Sequence, residues 1–195
     1  MPSERVYTMF RESVEAKMEV GEALAPQIQH ASEVIIQALL NEKKILVCGN
    51  AASSALAQIF TSAMLDRFEQ ERPSLPAMWL GGNITTYTSI AADHSVNEVY
   101  SKPIRALGQS GDILLLISSS GNAANLVQAL TAGHDRGMNC VALTGRDGGD
   151  ITSLMDVNDV ELRASVDSRS RIHEIHLLTI FCLCDLIDNQ LFGIN

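Results

Sequence analysis

The sequence feature that most constrains the fold is a series of five short apolar runs, separated by segments long enough to form helices. The runs are rich in β-branched and other apolar residues and end in small or polar ones, which is typical of strands buried on both faces. Strands that alternate with helices need right-handed crossovers and form a parallel sheet covered by helices. The sequence therefore predicts a three-layer, doubly wound α/β fold with a five-stranded parallel sheet. The runs are 44–49, 75–80, 113–117, 140–144 and 157–162.

The chain has 195 residues, which is enough for one compact core and short for two. We expect an N-terminal helical arm over 1–42 and a sheet-containing domain over 43–195, which together form one structural unit. The last segment, 169–192, is predicted to be a helix that is apolar on nearly every face. Such a helix must be covered all round, and a subunit interface is the simplest cover. We therefore expect a homo-oligomer.

The arm itself carries a helical pattern. Apolar side chains recur every four residues, and we expect this stripe to pack against another helix. Pro26 is expected to end the first helix, so that a second helix runs to about Leu40. The stripe consists of Val6, Phe10, Val14 and Met18.

Composition narrows the classes of function. The formal net charge of −9 argues against direct binding to nucleic acid, which needs clustered Lys and Arg. No apolar run reaches the roughly 18 residues of a membrane span, and the N-terminus lacks a signal-peptide core. We therefore expect a cytoplasmic protein that does not contact a membrane. The cysteines are predicted to be reduced and mostly buried; they are Cys48, Cys140, Cys182 and Cys184.

Candidate ligand-binding residues follow the strands, because ligands of such sheets bind outside the carboxyl ends of the strands. Ser118, Ser119 and Ser120 precede Gly121 between the third run and a helix. Their hydroxyls and the backbone N–H groups at a positive helix N-terminus suit a phosphate, and Ser53 can add a donor from the loop after the first run. The alternative is that these serines only cap helices and fill turns.

These loops belong to a longer similarity that covers nearly the whole chain. In order and spacing, five segments resemble the signature segments of the phosphoheptose isomerases, which have sugar isomerase (SIS) domains. The resemblance implies a flavodoxin-like sheet, a homotetramer, and sedoheptulose 7-phosphate as the ligand. The same family includes the DnaA initiator-associating protein, a non-isomerase that binds the replication initiator. With x for positions outside the match, the segments are CGNxxS at 48–53, RFExxRPSLPA at 67–77, ISSSGN at 117–122, ALTGRDGG at 142–149 and RIxEIH at 171–176, continued by CDLI at 184–187.

The resemblance also implies which residues bind the sugar phosphate. Ala123 stands where the family has a further serine, and Ala51-Ala52 replaces a Gly-Gly pair, so that close approach of the backbone is less easy. The implied sugar-phosphate contacts are Asn50, Ser53, Asp93, Ser118, Ser119 and Ser120.

The family pattern breaks at the catalytic positions. Ile59 stands where the isomerases have a metal-binding His, and Ala63 where they have a catalytic Glu. On the last helix, His173 replaces a Gln and Phe181 replaces a catalytic His. Isomerisation through an enediol needs a general base and a general acid, and only His173 among these four can transfer a proton. We therefore expect a non-catalytic scaffold or regulator of the DnaA initiator-associating type. The alternative is an active sedoheptulose 7-phosphate isomerase of lipopolysaccharide heptose biosynthesis.

No cofactor is expected, and zinc only if a site is rebuilt around His173. His176 lies three residues on and shares the same helix face, and His94 is the best outside candidate for a further ligand. The other interpretation is that His176 has a non-catalytic place, usual in the family, and that His173 lines a polar pocket. The DnaA initiator is the protein partner that the resemblance suggests.

Overall fold

A computed structural model of the protein, which describes residues 1–193, confirms the predicted sheet. All five strands are parallel, in the order β2-β1-β3-β4-β5. The strands are β1 (Ile45–Gly49), β2 (Ala77–Trp79), β3 (Ile113–Ile117), β4 (Asn139–Gly145) and β5 (Val160–Ala164). The helices are α1 (Pro2–Leu40), α2 (Ala52–Leu65), α3 (Ile84–Asp93), α4 (Ser101–Leu107), α5 (Ala124–Asp135), α6 (Gly149–Leu154) and α7 (Arg169–Phe192), with a 3₁₀ turn at Val96–Glu98.

The sheet is buried on both faces, as its apolar strands require. Alternate side chains of one strand belong to different cores: Ile45 and Val47 face the core that contains α1, α2 and α7. Leu46 and Cys48 face the core on the opposite side, with α4 and α5. Since neighbouring strand residues point to opposite faces, both cores are built from the same short segments. The result is the predicted helix–sheet–helix arrangement.

Helix α1 differs from its prediction, because it continues through Pro26 as one helix from Pro2 to Leu40. Proline removes one helical hydrogen bond and crowds the preceding turn. Leu24 and Ile28 on either side of Pro26 are buried in the core with α7, as is Ile35 further along. This packing offsets the local cost of the proline, and the expectation of two separate helices was wrong.

The expected packing of the apolar stripe on α1 was also wrong within this chain. The first turns of α1 carry the stripe on a surface that the rest of residues 1–193 leaves exposed. Ala16 is partly buried against the core, and full burial of apolar side chains in α1 begins at Val20. The exposed stripe residues are Val6, Phe10, Val14 and Met18.

Strand β5 begins three residues later than predicted. Val157 is 97% exposed and lies in a turn. The backbone N–H of Asp159 donates to the carbonyl oxygen of Asp156 (3.0 Å), and the N–H of Asp156 donates to the Asp159 carboxylate (2.8 Å). This turn occupies the start of the predicted run, so the strand begins only at Val160.

Helix α7 has the predicted extent. It is the one helix among residues 1–193 that is long and apolar enough to cross a bilayer by composition. Its buried residues pack in the core with α1 and α2, however, and Asp188 forms a buried ion pair with Arg72 (2.8 Å). These contacts are those of a core helix. Cys48, Cys140 and Cys184 are free and buried, and Cys182 is partly buried, as expected.

The observed start of β5 can be tested with two identical substitutions. Val160→Ala removes two buried methyl groups and should lower the free energy of unfolding by about 2 kcal/mol or more. Val157→Ala alters an exposed turn residue and should change it by less than about 0.5 kcal/mol. Urea unfolding of both variants measures the difference. Equal losses would mean that Val157 is buried in the strand after all.

Candidate functional site

The strand order reverses between β1 and β3, and this reversal creates a crevice at the carboxyl edge of the sheet. The chain leaves β1 into α2 on one face and leaves β3 into α5 on the other. In doubly wound sheets this switch point is where ligands bind. The loops around Asn50 and Ser118–Gly121 flank it, so the structure brings together the predicted residues of these two loops.

The two loops are tied to each other by a pair of amides. The Asn50 Nδ2 donates to the Oδ1 of Asn125 in α5 (2.8 Å), and the Asn125 Nδ2 donates back to the Asn50 Oδ1 (2.9 Å). At Gly49 an added Cβ would lie 2.8 Å from the Ser53 carbonyl oxygen and 3.0 Å from that of Ile117, so only glycine fits. Asn50 therefore holds the crevice together, a role that the sequence does not reveal.

The serine loop is shaped by its own hydrogen bonds. The buried Ser118 Oγ accepts from the N–H of Gly121 (3.0 Å), and the Ser120 Oγ accepts from the N–H of Asn122 (3.4 Å). Gly121 has a φ of 70°, and an added Cβ would lie 1.8 Å from the Gly148 carbonyl oxygen. The loop after β3 is thus pressed against the loop after β4 at a point where no side chain fits.

Two of the predicted donors remain available to a ligand. Within residues 1–193, the hydroxyls of Ser53 and Ser119 have no hydrogen-bond partner. Ser53 is buried in the first turn of α2, whereas Ser119 is half-buried. These two hydroxyls can donate to phosphate oxygens without breaking a contact of the protein.

Both helices that begin at the crevice lack a side-chain cap. The N-cap residues are Ala51 for α2 and Ala123 for α5, and neither side chain can accept a hydrogen bond from the first helical turn. In α2 the N–H groups of Ser53 and Ser54 donate instead to the carbonyl oxygens of Asn50 and Ala51 (both 3.0 Å). Uncapped N–H groups and the helix dipole favour an anion. Ala51 also has a φ of 51° and a ψ of −119°, a conformation that costs a non-glycine residue about 1–3 kcal/mol.

Beside the serine loop lies a cavity of about 470 Å³ that the sequence analysis missed. It is lined by Asn122, Arg146, Asp147, Ser165 and Asp167, from the loops after β3, β4 and β5. Arg146 is exposed and brings a cation to the carboxyl edge of the sheet. Its place directly after an apolar run is the signal that would have identified it.

Asp93 lies apart from the serine loop in its contacts. It is exposed in the last turn of α3, where its carboxylate accepts from the hydroxyl of Ser89 (3.3 Å). None of the hydrogen bonds or ion pairs within residues 1–193 links Asp93 to Ser53 or to the serines at 118–120. Its role at the sugar therefore stays a prediction.

The positions of the family's catalytic groups carry apolar side chains. Ile59 and Ala63 lie one turn apart on α2, and the Ala63 carbonyl oxygen accepts from Arg72 (2.6 Å). The Phe181 ring lies 5.7 Å from the Phe68 ring, centroid to centroid, in the wall of an apolar groove of about 520 Å³ between α1 and α7. None of these side chains can accept or return a proton.

The histidines of α7 do not form one site with Glu174. The Nε2–H of His176, which is 1% exposed, donates to the Thr144 carbonyl oxygen (2.8 Å), and burial lowers the pKa of His176 to about 4. Glu174 points instead to α1, where it accepts from Ser13. Both ring nitrogens of His173 are buried without a partner in the described chain, and burial, with Arg169 nearby, lowers its pKa.

Comparison with known proteins identifies close relatives over the whole chain. A family model described as SIS domain matches residues 9–145. The chain is 57% identical to a phosphoheptose isomerase of Chromohalobacter salexigens, over 97% of this chain and 96% of that protein. It is 53% identical to one of Coxiella burnetii, over 96% and 94%.

Solved structures agree with these sequence relatives. A phosphoheptose isomerase from Neisseria gonorrhoeae is 41% identical, with a TM-score of 0.92 over 97% of this chain and 100% of that one. One from Francisella tularensis is 39% identical, with a TM-score of 0.94 over 97% and 99%. The comparisons confirm the resemblance and the fold. The names of the relatives favour the isomerase interpretation, and they give no support to a non-catalytic branch, to a DnaA partner or to a role in replication.

The burial of His176 predicts a pH-dependent stability. A pKa lowered from 6.5 to about 4 means that the unfolded state binds the proton more tightly. Above about pH 6.5 the neutral His176 therefore contributes about 3 kcal/mol to the free energy of unfolding, and this contribution is lost as the pH falls towards 4. His176→Gln, which keeps an N–H donor for Thr144, should flatten this part of the stability curve. Urea unfolding between pH 4.5 and 7.5 measures the slope.

The exposed His30 supplies the matched control, since its side chain makes no buried contact. His30→Gln should leave the slope unchanged. If both variants keep the full slope of the unaltered protein, His176 is not its source.

Proposed function

We propose that this chain, which belongs to the phosphoheptose isomerase family of SIS domains, binds a sugar phosphate at the crevice between β1 and β3. The observation that carries the proposal is the pair of uncommitted hydroxyls, Ser53 and Ser119, beside two uncapped helix N-termini. The ligand class follows from the relatives, which are named for phosphoheptose isomerisation. Sedoheptulose 7-phosphate is therefore the ligand to test first.

Phosphate recognition accounts for structural features whose cost in conformational free energy is otherwise unexplained. A phosphate carries two negative charges near neutral pH, and N–H groups at helix ends bind such anions well. The strained Ala51 and the close contact of Gly121 with Gly148 hold the backbone N–H groups of both loops in place. A site that is rigid before binding loses less entropy when the ligand binds.

Aldose–ketose isomerisation is the activity that the relatives' names favour. It would convert the ketose phosphate to an aldose phosphate through an enediol, with a base that removes a carbon-bound proton and an acid that returns it. In this chain we assign that task to His173. Its ring is neutral near pH 7, because burial lowers its pKa, and its nitrogens have no partner within residues 1–193.

Binding without turnover is the second candidate, and Ala63 and Phe181 favour it. Such a protein would act as a homotetrameric scaffold or regulator in the cytoplasm, with the DnaA initiator as the proposed partner. The exposed apolar stripe of α1 offers a surface for subunit association. The net charge of −9 suits a basic protein partner more than direct contact with nucleic acid.

Binding is tested by titrating the protein with sedoheptulose 7-phosphate in a calorimeter. Ser119→Ala removes a hydroxyl donor to a charged group, so the affinity should fall roughly 10- to 100-fold. Ser110→Ala, an exposed serine at the opposite edge of the sheet, should bind like the unaltered chain. The absence of binding at millimolar sugar phosphate, or equal affinity in the two variants, would refute this site.

Turnover is tested at near-stoichiometric protein with the same sugar, with and without zinc, by following ³¹P and ¹H NMR spectra for hours. Formation of an aldose phosphate that His173→Ala abolishes and His30→Gln does not would establish the isomerase, with His173 as its proton-transfer group. Shifted or broadened resonances of an unchanged sugar would establish binding without chemistry.

A further inference from the structure

A second cluster of chemically capable side chains lies at the amino edge of the sheet, opposite the sugar crevice. His134 is in the last turn of α5, Cys140 is near the start of β4, and Asp159 directly precedes β5. One ligand atom of each lies within 4.8 Å of the other two. We propose that His134, Cys140 and Asp159 bind a zinc ion that fastens α5, β4 and β5 together.

The donor set suits zinc. Thiolate, imidazole and carboxylate are its usual protein ligands, at about 2.3, 2.0–2.1 and 2.0–2.2 Å. Tetrahedral geometry at these bond lengths separates neighbouring ligand atoms by roughly 3.3–3.6 Å. The His134 Nε2 lies 2.8 Å from the Asp159 Oδ2, and the Cys140 Sγ is within 4.8 Å of both. Changes of up to roughly 1.3 Å in these separations complete three ligands of a tetrahedron, and water can supply the fourth.

The carboxylate is held ready for this role. The side chain of Asp159 is only 3% exposed, its Oδ1 accepts from the N–H of Cys140 (3.1 Å), and its Oδ2 accepts from the N–H of Asp156 (2.8 Å). A carboxylate has about four acceptor sites. The ion therefore replaces only the hydrogen bond between Asp159 and His134, while both backbone contacts remain.

The charge balance also suits a divalent ion. Zinc displaces the thiol proton to solvent, and one thiolate with one carboxylate then balances its double positive charge. The Nε2 lone pair of His134 points to the ion while its proton sits on Nδ1, where the Asp156 carboxylate at 3.9 Å can accept it.

The position of the cluster at the amino edge of the sheet determines the role of the bound ion. The crevice lies at the carboxyl ends of the strands and the cluster at their amino ends, so the ion does not contact a sugar bound in the crevice. Its effect is structural, because a ligand that binds only the folded state stabilises it. This site is independent of the proposed sugar-phosphate function, and either can fail without the other.

Cobalt titration of the untagged chain, stripped with a chelator and desalted, tests the site directly. One equivalent of Co²⁺ should produce a thiolate-to-cobalt charge-transfer band and intense visible bands of four-coordinate cobalt, and one equivalent of Zn²⁺ should abolish both. Zinc should also raise the midpoint of thermal unfolding. The absence of a charge-transfer band at stoichiometric cobalt would overturn the proposal.

Variants assign the ligands. Zinc affinity, measured by competition with a chromophoric chelator, should fall more than about 100-fold in Cys140→Ala and His134→Gln, and about 10- to 100-fold in Asp156→Asn. Cys48→Ala removes an equally buried thiol from β1 and should bind zinc like the unaltered chain. His134→Gln keeps a donor for Asp159 and so preserves the fold if Cys140→Ala does not. Unchanged affinity in His134→Gln would show that the three residues form only a hydrogen-bonded cluster.

Discussion

Because the parallel sheet is buried on both faces, it dictates where every other part of the protein can lie. Each strand sends alternate side chains into two different cores, as Ile45 and Leu46 do. Helices must therefore cover both faces, and polar chemistry is confined to the two edges where the strands end. The carboxyl edge contains the serine loop and the amino edge contains the cluster around Asp159. The two proposed sites are separate for this reason.

The carboxyl edge is rigid because its loops are packed against one another. Asn50 and Asn125 exchange two hydrogen bonds across the switch point, and Gly121 touches the Gly148 carbonyl oxygen so closely that a side chain is excluded. Among the residues that the structure describes, none bonds to the hydroxyls of Ser53 and Ser119. The same rigidity serves a binding protein and an isomerase equally, which is why the names of the relatives and the apolar Ala63 and Phe181 point to different activities on one scaffold.

Much of this fold could be predicted from the chain, and the errors have physical causes. The parallel sheet and its layering follow from apolar runs that alternate with helices, whereas the strand order is given by the structure. Helix α1 continues through Pro26 because tertiary packing outweighs one lost hydrogen bond. Val157 lies outside β5 because the backbone N–H groups of Asp156 and Asp159 form hydrogen bonds within the turn that contains Val157. The local sequence pattern indicates which secondary structure a segment prefers. The continuous α1 and the late start of β5 depend instead on contacts that this pattern does not include.

The alternation of apolar runs with helix-length segments was enough to predict the fold class, and the serines after the third run could be identified from the same pattern. Three arrangements could not be predicted: Asn50 is bonded to Asn125, His176 is held neutral against Thr144, and His134, Cys140 and Asp159 converge. The partners in these contacts come from different elements, and their side chains meet only after the sheet has aligned its strands. The spacing of these residues along the chain therefore does not predict their contacts.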